Sequence, residues 1–189
     1  MKHLTLVLLL TLTLTARAQD TGKPGSWPIH RLQSDIPQHR IEDPSAAIQS
    51  ILYEGEPVLG KDTEVIAFSA SPKTLGDWDR DRRVPGLVLI HGGGGTAFSD
   101  WVWQWAKRGY AAIAMDLSGS RPPQPRFDES GEKTRDTHHS REERSKLEKG
   151  GLDHTPVEKF NSIGGDRSDD RPYHAVANVV KAHTLLRSF

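Results

Sequence analysis

The chain contains no cysteine, which excludes both a disulfide framework and a thiol nucleophile. It has little excess charge of either sign: 25 basic and 25 acidic side chains balance. That balance removes the electrostatic basis for nucleic acid or an anionic membrane as partner. Apolar residues make up only 35% of the chain, so a core has to be drawn from a few segments. Long apolar runs are missing after the first residues, and none of the later ones reaches the length of a membrane span. No internal repeat is present.

What is there begins with a leader. Met1-Lys2-His3 is a short basic start, residues 4–15 are an apolar stretch of Leu and Thr, and Ala16-Arg17-Ala18 has the small-x-small cleavage pattern. This combination is expected to be a secretory signal peptide cut after Ala18, sending the protein out of the cytoplasm or into a periplasm. Residues 19–47 form a polar leader with Pro24, Pro28, Pro37 and Pro44. From 48 onward the pattern becomes that of a domain. Ile51-Leu52-Tyr53 and Val65-Ile66-Ala67-Phe68 are strand-like, with turn residues between them, and predict an antiparallel hairpin. Residues 84–90 form a near-continuous apolar run, expected as a strand of a parallel sheet buried on both faces.

The segment 96–108 predicts a helix. Phe98, Trp101, Val102, Trp105 and Ala106 share one face of a 3.6-residue period. This places Trp101 and Trp105 in the core and Trp103 off that face. Thr96, Ser99 or Asp100 is the expected cap, and Gly109 the terminator. A strand over 110–117 follows, completing a strand–helix–strand crossover. Residues 120–170 are dense in charge, with prolines at 122, 123 and 125, and are expected as a partly disordered excursion. Within it, 141–149 predicts a short exposed helix. A final helix is expected over 172–186, with His174 and His183 at its surface and Asp169-Asp170 at its start.

The most informative feature lies between the strand at 84–90 and the first long helix: His91-Gly92-Gly93-Gly94-Gly95. A glycine loop between a buried strand and a helix N-terminus aims backbone N–H groups at negative charge. Two anions are candidates. Gly92-x-Gly94-x-x-Ala97 meets a relaxed dinucleotide fingerprint, with Asp116 near the position that would hold a ribose hydroxyl. A Walker A loop is excluded, because no Gly-Lys-Ser/Thr follows. Against a nucleotide stand the antiparallel hairpin before the loop, the export signal, and His91, which has no role in pyrophosphate binding. The second candidate is the oxyanion of an acyl-transfer intermediate, and no cofactor is expected.

The stretches 84–95 and 105–119, with the hairpin before them, resemble the front half of a secreted α/β-hydrolase of the acetyl-xylan-esterase or dienelactone-hydrolase-like kind. The resemblance covers about residues 48–119 and 172–189. It implies an α/β fold, the N-terminal half of a three-layer sandwich, with strand order 1-2-4-3-5 and an incomplete sheet. It further implies a serine carboxylic ester hydrolase acting on a small-molecule or glycan-linked ester. In such a protein His91, Gly92, Gly93 and Gly94 form the oxyanion loop, while Asp116 and Gly119 stand at the pocket rim. The family's Gly-x-Ser-x-Gly is not found: Leu117-Ser118-Gly119-Ser120 lacks the leading glycine, and Gly164-Gly165-Asp166 has no serine. The chain therefore reads as a fragment lacking nucleophile, acid and histidine, without esterase activity of its own. Its third strand is expected to be an exposed apolar edge. A non-catalytic binding module is the alternative, and a nucleotide oxidoreductase comes third. His138 and His139, with Asp136, Asp153 and His154 near them, lack helical i, i+4 spacing and are expected to be solvated rather than to hold a metal.

Overall fold

The computed structural model describes residues 27–77, 82–135, 141–153, 160, 162–163 and 165–189. The expected signal peptide lies outside them. A five-stranded sheet organises the domain. Its strands are β1 (His39–Ile41), β2 (Gln49–Glu54), β3 (Glu64–Ala70), β4 (Gly86–Leu89) and β5 (Ala111–Met115). Their spatial order is β1-β2-β3-β5-β4. The hairpin β2–β3 is antiparallel, with Ile51 opposite Ala67. β3 runs antiparallel to β5, and β4 parallel to it. From β2 onward this is the 1-2-4-3 order that the resemblance implies.

Both faces of the sheet are covered, which is why β3 reads as a continuous apolar run. Val65 and Ala67, with Ile51, Tyr53, Ile113 and Met115, face helix α3 (Arg171–Leu186) and its Ala182, Leu185 and Leu186. Phe68 and Ala70, with Ala112 and Ala114, face helix α2 (Ser99–Ala106) and its Val102 and Ala106. Each fully buried large aliphatic or aromatic side chain contributes about 1.5–3 kcal/mol. The result is a three-layer α/β sandwich.

Several expectations need correction. The stretch 27–47 is more than a leader: it supplies helix α1 (Ile29–Ser34) and edge strand β1. Leu32 is buried, and its carbonyl accepts from Thr184 Oγ1 at 2.7 Å. The buried stripe of α2 lies one flank away from the one its periodicity predicts. The buried centre of α2 is Ser99, Val102 and Ala106, small residues that let it lie close to Ala112 and Ala114. Trp105 is displaced to the exposed flank and meets Tyr110 edge-on, with ring centroids 5.2 Å apart. Trp103 packs at the other flank against Phe127. The helix is not capped by a side chain; Gly109, at φ +92°, ends it as expected. The 141–149 segment is not an α-helix. It holds one 3-10 turn, Arg141–Glu143, and strand β7 (Ser145–Lys146), which pairs with β6 (Ser120–Arg121).

β4 departs from the expected two-faced burial. It pairs only with β5 among the described residues; Leu87, Val88 and Leu89 are half-buried, and Ile90 is 54% exposed. An apolar strand with one open row of backbone groups is a template for pairing with another chain. Ile90→Lys places a charge beside that edge at little cost to the core. It is expected to shift the chain toward its monomer mass of 21.0 kDa in light scattering, where the unaltered chain associates.

Candidate functional site

The glycine loop sits at the carboxyl end of β4, beside the turn that leaves β5. Gly95 N–H donates to Gly92 O at 3.0 Å, closing a four-glycine turn. Gly94, third in the turn, has φ +81°, the left-handed value that a type II turn requires there. His91 is buried and ties this turn to β5. Its Nε2 accepts from Leu117 N–H at 3.0 Å. The other ring nitrogen therefore carries the proton, and Nδ1–H donates to Gly92 O at 2.8 Å. Gly95 has to be glycine for a second reason: a Cβ there would lie 2.7–2.9 Å from Cβ, Nδ1 and Cγ of His91. Gly95→Ala is expected to displace the imidazole, cost about 1–3 kcal/mol, and free the Leu117 amide to exchange. Amide exchange with calorimetry checks both.

These bonds select one donor. Gly92 O accepts from two directions, from His91 and from Gly95. A trans peptide points its C=O and N–H in opposite directions, so the N–H of Gly93 is held facing away from both. Gly93 is exposed, and among the described residues neither its N–H nor that of Gly94 meets an acceptor. The loop thus presents a fixed, unspent backbone donor at a strand's carboxyl end, before a helix N-terminus. That arrangement suits a small oxyanion.

Asp116, buried at the end of β5, is committed elsewhere. Its Oδ2 accepts from Thr96 Oγ1 at 2.7 Å. Its Oδ1 accepts from Ser118 N–H at 2.7 Å, Ser118 Oγ at 2.8 Å and Ser120 N–H at 3.0 Å. With its oxygens occupied in this way, Asp116 is not presented to a ribose, which argues against the dinucleotide alternative. Gly119 has φ +68°, and a Cβ on it would lie 2.6 Å from Gly151 O. Both residues border a cavity of about 10 Å³ under α3, the space of a single water. None of the glycine-loop residues lines that cavity.

The architecture is a mixed α/β fold with an open five-stranded sheet. No protein-family model and no curated protein matches the sequence. Among solved structures the chain is similar to an acetyl xylan esterase from Paenibacillus sp. R4, at 20% identity over 51% of this chain and 33% of that one, TM-score 0.33. It is also similar to acetyl xylan esterase 1 from Thermoanaerobacterium sp. JW/SL YS485, at 12% identity over 82% of this chain and 41% of that one, TM-score 0.43. The chain thus spans well under half the length of either.

Two features escaped the sequence. Arg144 donates from Nη1 to Gly95 O at 2.8 Å and from Nη2 to Gly94 O at 3.1 Å; in the sequence it is one charge of the segment that predicts a short exposed helix. Glu56 is buried between α1 and α3, 2.6 Å from Arg31 and 2.9 Å from Lys181, and accepts from Tyr173 Oη at 2.9 Å. Burial alone would raise its carboxyl pKa, but the two cations outweigh this and hold it at about 2. Burial and the nearby carboxylate push the Tyr173 phenol up to about 12. His174 is buried, not at the surface. Its ring donates from Nε2 to Ser168 O at 3.1 Å, and desolvation lowers its pKa. His183 is exposed as expected. Asp136, His138, His139 and His154 lie outside the described residues, among which no three metal-ligating side chains cluster. No described helix is long and apolar enough to cross a membrane.

Proposed function

We propose that this chain carries the oxyanion arm of an exported carboxylic ester hydrolase, with Gly93 N–H as the donor to the tetrahedral intermediate. The observation that carries the reading is the Gly92 carbonyl, pinned by His91 and Gly95, which leaves the Gly93 N–H facing outward. An oxyanion donor is effective when it is fixed before charge develops. The class of substrate follows the resemblance: a small or glycan-linked acyl ester. The 189 residues contain no Gly-x-Ser-x-Gly, so on their own they are expected to hydrolyse 4-nitrophenyl acetate no faster than buffer.

The decisive variant is Gly93→Pro. Proline suits the second position of a type II turn and removes the N–H while leaving the turn. The DNA beyond the codon for Phe189 is first read for a strand followed by Gly-x-Ser-x-Gly. In a protein that includes such a strand, Gly93→Pro is expected to lower kcat about 100-fold or more, with KM little changed. An unchanged kcat would overturn the assignment. N-terminal sequencing of the secreted protein, expected to begin at Gln19, tests the export.

A further inference from the structure

Residues 144–151 belong to the charged excursion that follows β5. Its middle is seated firmly on the turn after β5. β7 pairs with β6, Leu147 N–H donates to Gly119 O at 3.0 Å, and Glu64 N–H donates to Lys149 O at 2.7 Å. Gly119 and Gly150 are in backbone contact where a side chain would not fit. Arg144 stands immediately before β7, so these anchors fix where its guanidinium can reach. It reaches the glycine loop, and both terminal nitrogens land on carbonyls of consecutive residues, Gly94 and Gly95.

The effect on the loop follows from peptide planarity. The peptide joining Gly94 to Gly95 is gripped at both ends: its C=O by Arg144, its N–H by Gly92 O. The peptide joining Gly95 to Thr96 is gripped through its C=O. His91 and Gly95 grip the peptide that carries the Gly93 N–H. Arg144 therefore closes the side of the turn that His91 does not touch. Without it, the Gly94–Gly95 peptide is free to rotate, Gly95 N–H leaves Gly92 O, and one of the two restraints on the Gly93 donor is lost. Lysine is no substitute, since a single ammonium does not present the planar fork that spans two carbonyls.

We propose that Arg144 is the positioning residue of the oxyanion loop, and that residues 144–151 serve to deliver it. This rests on the oxyanion reading of Gly93. The test is glycine-selective ¹⁵N NMR on the full chain, following two quantities. One is amide exchange of Gly95. The other is the shift of the Gly93 amide on titration with sodium acetate, with sodium chloride at equal ionic strength as control. Arg144→Met is expected to raise Gly95 exchange tenfold or more and to abolish the acetate-dependent shift at Gly93, with the buried amide of Gly55, which donates to Thr63 O at 2.8 Å, unchanged. Arg144→Lys, which keeps the charge and packing bulk, is expected to restore less than half of either quantity. Unchanged Gly95 exchange in both variants would overturn the positioning role while leaving the donor assignment intact. A Gly93 amide that ignores acetate in the unaltered chain would overturn the donor assignment, and the positioning role with it.

Discussion

Replacing Asp116 by alanine is expected to destabilise the domain by about 4 kcal/mol, roughly a 10 °C fall in Tm for a chain of this size. The side chain is 2% exposed, and its oxygens accept the Thr96 and Ser118 hydroxyls and the N–H groups of Ser118 and Ser120. Alanine leaves those donors without acceptors in a place that water scarcely enters, so the cost is their desolvation and not merely a lost bond. Asp116→Asn separates the two. Its oxygen still serves Ser118 and Ser120, and the Thr96 hydroxyl can turn to accept from the new amide. A loss of only about 1–2 kcal/mol is expected, read from urea midpoints with m unchanged. Equal losses for Asn and Ala would show that charge, not hydrogen-bond satisfaction, makes the turn.

The second large effect is expected at Glu56. Glu56→Ala leaves Lys181, whose side chain is only 6% exposed, without its carboxylate. Removing one partner of a buried pair costs about 3–5 kcal/mol. The pH dependence is the sharper check. The carboxyl sits at about 2 in the fold against an ordinary 4.5, so the unfolded chain binds the proton first as pH falls. Stability from this group is therefore complete above pH 4.5 and lost between 4.5 and 2, an effect of roughly 3 kcal/mol. Tyr173 acts at the other end: its phenol is raised to about 12, so stability falls as pH rises from about 10 toward 12. Glu56→Gln is expected to flatten the acid limb of a Tm-against-pH curve. An acid limb identical to that of the unaltered chain would remove Glu56 as its cause.

Much of the sheet was legible, because β2, β3 and β5 are buried on both faces and so carry unbroken apolar runs. The open edge was legible too, but only through the resemblance; the apolar run of β4 alone points to burial on both faces. The flank on which Trp105 falls was not legible. Periodicity locates an apolar stripe but not its midline, and here small residues set the midline by admitting the helix close to Ala112 and Ala114. The glycine loop announced a donor, yet its choice of Gly93 came from two bonds onto Gly92 O. Arg144 and Glu56 were invisible for a common reason. Their partners are 25 or more residues away in sequence, and an isolated charge carries no mark of the distant group that will hold it.

The strand order carries a consequence for how the site comes into being. Among the described residues β4 touches the sheet only through β5, which is synthesised after it. The apolar segment 86–90 therefore leaves the ribosome before that neighbour exists, and waits unpaired while the following helix is made. Once β5 docks on β3, β4 can be seated; His91 can then find Leu117, and Arg144 arrives later still. Arg144 is the last of these to be made, so a chain that ends between residues 116 and 143 has every strand of the main sheet but lacks the guanidinium that holds the Gly94 and Gly95 carbonyls.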